Sequence, residues 1–341
     1  MNIFQIISEI EKIDPEVYGR LDSRRRIFKH MSGLGQKLTA AAVPLALGSV
    51  LNKAYAQTSA APGVADVLNF ALKLEHLEAY FYSVGLGAGT TADPLTAAQT
   101  SLRAGFSANN LASLLRIRTD EINHVQFLRD TLAALGATAI PAPAVTEFDF
   151  TGGRGSAGGP FATVFTSAAT FMAVAQSLED TGVRAYKGGA PYLMSNKTVL
   201  EAALNIHSVE ARHASRLRTM RRAGPTNNSA ATVAPATVTG LEAERTASPK
   251  SWVSGKDNGG AQPAQTAAIY NAGTLPAGTP TGVTFPAEDN LMQGGLDLRV
   301  TTTVAGIPLL AFSEAFDEPL DVPSVNAIAR TFTVAGSTLF A

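Results

Sequence analysis

Residues 119–136 read TDEINHVQFLRDTLAALG. Val125, Leu128 and Leu132 follow the three-and-four spacing of an amphipathic helix, and Gly136 followed by Pro141 supplies a stop. Glu121 and His124 fall on the same stripe, because residues three apart on a helix share a face. A carboxylate and an imidazole turned toward an apolar interior need partners to offset their lost hydration. The fold therefore turns on where the rest of the chain supplies them.

Three further segments have the same period. VADVLNFALKLEHLEAYFYSVGL (64–86) aligns Val67, Ala71, Leu74, Glu75, Glu78, Phe81 and Tyr82. PFATVFTSAATFMAVAQSLEDTGVRAYKGG (160–189) opens on Pro160 and closes on Gly-Gly. NKTVLEAALNIHSVEARHASRLRTMRRAG (196–224) aligns Leu200, Ala203, Ile206, Glu210, His213 and Leu217, and ends in basic residues suited to a helix C-terminus. The stretch around 119–136 extends back to Ser101 as one segment, through Leu111, Leu114 and Arg118. Four amphipathic helices must bury their stripes against one another, so the expected fold is all-α, a four-helix bundle.

The inward polar residues form a pattern. The first segment offers Glu75, the second Glu121-x-x-His124, the third Glu179 and the fourth Glu210-x-x-His213. One glutamate from each of two helices with a Glu-x-x-His from each of the others is the arrangement that binds two iron or manganese ions inside a bundle. Carboxylates bridge hard divalent ions and each imidazole caps one of them. Two cations would also neutralise four glutamates that otherwise repel one another. A single Glu-x-x-His is weak evidence; two, with single glutamates in the other two helices, are specific.

Glu75 and Glu179 are each followed seven residues later by a tyrosine, Tyr82 and Tyr186, so the chain repeats as Glu…Tyr then Glu-x-x-His. Tyrosines two turns away can donate to a ligating carboxylate across the bundle or simply fill the core. Glu78 competes with Glu75 for the first-helix position; Glu75 is preferred because its tyrosine spacing matches the third segment. Gln176 is a candidate for bonding to a ligand. Asp120 and Asp180, about 100° around their helices from the ligands, either hold the histidines of neighbouring helices or face solvent. His207 is read as a surface residue with a second option near the site, and His76 as pointing away.

After Pro225 the chain is rich in Thr, Ala, Pro and Gly, and reads as an irregular extension (225–341) wrapped on the bundle. A short strand within 296–305 and a short helix within 322–334 are expected there. At the other end, SRRRIFKHMSG (23–33) precedes a feebly apolar, Ala-rich stretch and Ala54-x-Ala56. That order resembles an export signal of twin-arginine type, with Arg25-Arg26-x-Phe28-Lys29 as its consensus; the alternative is a basic, Ala-rich amphipathic helix of a cytosolic protein. The export reading assigns 1–56 to the signal, 57–224 to the bundle and the product to the periplasm or cell envelope. Cleavage after Ala56 removes eight Lys/Arg and five Asp/Glu, moving the formal charge from −1 to −4. Such a charge gives no reason to expect a nucleic-acid partner. The absence of cysteine excludes disulfides, Fe–S clusters and thiol chemistry.

LNFALKLEHLEAYFY, DEINHVQFLRDTL, LEDTGVRAY and VEARHASRLR resemble the ferritin-like superfamily, in particular exported bacterial ferritin-like domain proteins related to desiccation-related proteins. PAEDNLMQGG (286–295) and EAFDEPLDVPSVNAIARTF (314–332) are similar to the ends of those proteins. The resemblance implies that Glu75, Glu121, His124, Glu179, Glu210 and His213 hold two Fe ions, or alternatively two Mn ions. It implies oxidation of Fe(II), or reduction of O2 or H2O2, in a stress-protective role. The alternative is a non-catalytic metal-binding or structural protein, and the discriminator is whether the extension seals the site. Helix faces left over from the core offer surfaces for a homo-oligomer.

Overall fold

The structure is a computed structural model and describes residues 62–156, 158–233, 249–257, 260–301 and 306–341. The expected export signal over 1–56 lies outside the described residues. Five helices make up the first part: α1 (Val64–Leu86), α2 (Ala97–Ala104), α3 (Ala108–Ala134), α4 (Ala168–Gly189) and α5 (Lys197–Ala223). The four long ones, α1, α3, α4 and α5, form the bundle, with α1 packed closely on α3 and α4 on α5.

Adjacent helices run antiparallel. Asn69 near the start of α1 bonds to Thr138 and Ile140 just past the end of α3. Tyr82 meets Glu179 while Tyr186 meets Glu75, which sets α1 against α4. Asn110 at the start of α3 bonds to Gly224 and Pro225 beyond α5. The connection from α3 to α4 (135–167) must therefore cross the length of the bundle, the one long crossover such bundles accommodate. Phe148, Phe150 and Phe161 from this crossover pack into the core beside Phe81 and Phe171.

Two boundaries differ from the sequence reading. The second segment is broken at Gly105–Phe106–Ser107: α2 ends at Gly105, and Ser107 caps α3 by accepting from the Asn110 amide (3.2 Å). The third helix begins at Ala168, with Ser167 as its cap, and Pro160–Thr166 forms turns instead. In both places a serine oxygen satisfies an otherwise unpaired helix amide, a stronger local signal than the proline.

The extension after α5 is mostly irregular and packs on the bundle. It holds α6 (Pro263–Thr266), a hairpin of β1 (Met292–Gln293) and β2 (Leu296–Asp297), then α7 (Leu298–Thr301), α8 (Leu309–Ser313) and α9 (Val322–Ala329). The strand expected within 296–305 is thus two residues long, and the helix expected within 322–334 is present. The extension covers the outer face of α4, which is why nearly every residue of that helix is buried. Arg184 fastens it: the buried guanidinium donates to the carbonyls of Ile269, Asn271, Pro286, Glu318 and Pro319 and pairs with Glu288 at 3.0 Å. At Gly188 an added Cβ would lie 2.0 Å from the Leu320 carbonyl oxygen, so only glycine lets this strap approach. Among the described residues no helix is long and apolar enough to cross a membrane.

Candidate metal centre

The stripes of the four long helices converge halfway along the bundle, and the polar residues of each stripe meet there. Glu75, Glu121, Glu179 and Glu210 are fully buried, and His124 and His213 nearly so. Two overlapping groups result. Glu75, Glu121, His124 and Glu210 form one; Glu121, Glu179, Glu210 and His213 form the other. Within each, one ligand-type atom per residue lies within 4.8 Å of all the others, and each group can hold a metal ion. Glu121 and Glu210 belong to both.

The contacts follow an approximate twofold exchange. His124 Nδ1 lies 3.2 Å from Glu75 and Glu121 oxygens and 3.1 Å from Glu210. His213 Nδ1 lies 2.8 Å from Glu121 and 3.2 Å from Glu179. The two imidazoles are 6.4 Å apart, centre to centre. Tyr82 Oη donates to Glu179 (2.6 Å), and Tyr186 Oη donates to Glu75. Both tyrosines thus reach across to the other helix pair, as the repeat in the sequence suggested.

Acceptors outnumber donors in this cluster. One Nδ1 proton cannot serve three carboxylates, and Glu121 Oε1 and both Glu210 oxygens lack any aligned hydrogen bond. His124 and His213 do come close to them, at 3.1 and 2.8 Å, but without the alignment of a bond. Unpaired buried oxygens cost free energy unless a cation or proton arrives. This excess of lone pairs, on hard oxygens and imidazole nitrogens, is a donor set that fits two divalent ions such as iron or manganese.

Electrostatics agree with that shortage of positive charge. Burial and the charges of the other glutamates drive Glu78 and Glu210 well above the usual carboxylate range. Burial and Glu179 raise Glu121 to about 7 against the hydrogen bonds of the two histidines. Burial would lower His213, but Glu179 and Glu121 outweigh it and push it up to about 12. Burial would raise Glu179, and the neighbouring His213 reverses the sign.

The remaining sequence candidates divide. Glu78 is buried among the four glutamates, so it is a fifth carboxylate of the cluster beside Glu75 rather than in its place. Room for it comes from Gly182, where an added Cβ would stand 3.3 Å from both Glu78 Oε1 and Glu210 Oε2. A small residue three positions after Glu179 was the legible sign. Asp120 lies 3.3 Å from His213 Nε2, which fixes the ring with Nδ1 facing the carboxylates. Gln176 does not bond to any of the six: it bonds to Asp180, Asp257, Tyr270 and Arg221. Asp180 neither holds a histidine nor faces solvent; it is buried against Arg218 and Tyr270. His76 is buried and stacks on Tyr80 at 6.0 Å, and His207, expected at the surface, is half-buried with its Nε2 buried and unbonded.

A cleft of about 600 Å3 opens between α3 and α5 and reaches both histidines. Its described lining is Ala112 to His124 on one side and Val209 to Arg216 on the other, with nothing from the extension. Among the described residues the extension leaves this approach open.

Residues 63–223 match the family described as the ferritin-like domain. No curated protein matches the chain. The chain thus carries a ferritin-like domain that spans the four long helices and ends where the extension begins.

Proposed function

We propose that this domain binds a pair of iron ions, or alternatively manganese ions, and uses them to reduce O2 or H2O2 or to oxidise Fe(II). The observation that carries the reading is the excess of buried acceptors in two four-residue groups that share Glu121 and Glu210. In this reading Glu75, Glu121, His124 and Glu210 would hold one ion, and Glu121, Glu179, Glu210 and His213 the other. Bound metal supplies the paired redox changes that two-electron reduction of a small oxidant requires.

The chain's own residues set the conditions. Tyr82 and Tyr186 each hold one terminal carboxylate by a hydrogen bond and fix its orientation. With an ion bound, Asp120 would hold the Nε2 proton of His213 and leave Nδ1 free as the ligand atom. Glu78 is a further buried carboxyl group beside the cluster. The aromatic and aliphatic residues above and below exclude bulk water. The cleft between α3 and α5 gives a small reactant access, which favours turnover over a purely structural use of the ions.

The setting completes the reading. The first 56 residues act as a twin-arginine export signal, and the protein works in the periplasm or cell envelope in stress protection, as the resemblance to desiccation-related proteins implies. N-terminal sequencing of the exported protein tests the signal; a product beginning at Gln57 is expected, and an intact Met1 start in the cytoplasm contradicts it. Peroxide consumption by metal-loaded protein, abolished in Glu210→Ala, tests the chemistry. Two bound ions with no turnover of O2, H2O2 or Fe(II) would leave the non-catalytic reading in its place.

A further inference from the structure

The cleft over the metal centre is larger and more basic than access for O2 or peroxide requires. A water-sized reactant needs about 30 Å3, whereas the cleft encloses about 600 Å3, within the range that holds small organic ligands. Two ridges form its walls. On α3 they are Ser113, Arg116, Asp120 and His124; on α5, Arg212, His213 and Arg216.

The charges on these ridges are unequal. Arg116 is paired with Asp120 at 2.8 Å. Among the described residues Arg212 and Arg216 make no ion pair, and Arg216, partly buried, has only the Ser113 hydroxyl as acceptor (3.0 Å). They sit one turn apart on one face of α5 and flank the ligand candidate His213. Within the cleft, which also reaches both imidazoles, these two guanidiniums have no carboxylate partner among the described residues. They match the planar oxygens of a carboxylate or phosphate.

We infer that the cleft binds a small organic anion, with its carboxylate or phosphate held by Arg212 and Arg216 and its body directed toward His124 and His213. The inference rests on the metal reading only for placing the bound molecule beside the ions. Binding itself depends on residues outside the ligand set.

The test uses the full chain, metal-free and loaded with Mn(II), with benzoate, phenyl phosphate and uncharged benzamide as probes. Calorimetry should give one anion bound per chain in both forms, with benzamide at least about tenfold weaker, the worth of a charge-assisted hydrogen bond. Arg212→Glu should weaken anion binding about tenfold or more while Mn content stays at the wild-type value, and Arg216→Gln should weaken it less. In Mn-loaded protein the ring protons of bound benzoate should broaden, and Arg212→Glu should remove that broadening. Benzamide binding as tightly as benzoate, an unchanged Kd in Arg212→Glu, or no anion binding at all would overturn the inference. Benzoate bound but not broadened in protein that holds Mn would overturn its placement. Protein that takes up no Mn would refute the metal reading, and the metal-free titrations would still decide the cleft.

Discussion

Glu179 and Asp180 are neighbours on α4, both buried, and belong to two clusters of opposite character. Around Asp180 both carboxylates meet a guanidinium, and the atoms left over are donors: Arg218 Nε is unbonded and Nη1 lies close to Asp257 without an aligned bond. Arg218 pairs with Asp180 and with Asp257 (2.7 Å), Tyr270 donates to Asp180, and Gln176 bonds to both carboxylates and to Tyr270. Around Glu179 five carboxylates face two imidazoles and two phenols, and oxygens are left unbonded. The first is a closed lock that joins the extension to the bundle. The second is open by the number of positive charges it lacks. Burial alone does not separate a structural ionic cluster from a ligand set; the balance of donors and acceptors does.

Breaking the closed cluster should have the largest effect. Arg218→Ala leaves Asp180 and Asp257 buried and unpaired, and should cost roughly 3–5 kcal/mol in denaturant unfolding, as removal of one partner of a buried pair does. A loss below about 1 kcal/mol would show that water already solvates those carboxylates. Glu210→Gln makes the opposite case. It removes one of several repelling carboxylates, so metal-free protein should be as stable as wild type or about 1 kcal/mol more so, while metal uptake is lost. Destabilisation of the metal-free protein on the scale of Arg218→Ala would erase the distinction between the clusters.

The tyrosines sharpen the comparison. Tyr82→Phe and Tyr186→Phe should each lower metal affinity about tenfold, the effect expected for a partner that orients a ligand, and the two values should agree within a few-fold because the contacts are related by the twofold exchange. A defect in only one would mean that the two metal positions are unlike. The smallest effect comes from a histidine outside both clusters. Burial, and Arg129 to a lesser extent, hold His76 down at about 4 against an ordinary value near 6.5. A folded value below the unfolded one means that the unfolded chain takes up the proton first. Stability tied to His76 is present above pH 6.5 and is lost as pH falls toward 4. At pH 5.5 the loss is roughly 1 kcal/mol, and His76→Leu should flatten that slope in urea titrations.

Much of the open cluster was legible in the sequence because its geometry is local. Glu121 with His124, and Glu210 with His213, need only helical spacing, and the seven-residue step to Tyr82 and Tyr186 located the phenols that cross between helix pairs. The closed cluster was not legible. Helical spacing gives the angle at which Gln176 and Asp180 leave α4, but not that an irregular segment some eighty to ninety residues later covers that face with Asp257 and Tyr270. Glu78 was ambiguous for a related reason: its inclusion depends on space made by Gly182 on another helix. The cleft depends on how loosely α3 and α5 pack past Ala112 and Ser113, a property of two helices together.

The central claim is that the open cluster is completed by two metal ions. Metal analysis of the purified full chain, with its thermal unfolding in the presence and absence of Fe(II) or Mn(II), tests this most directly. Two ions per chain and a raised unfolding temperature are expected for the wild type, with both ions lost together in Glu121→Ala because that carboxylate belongs to both groups. A wild-type protein that holds no ion and is not stabilised by added metal would contradict the account.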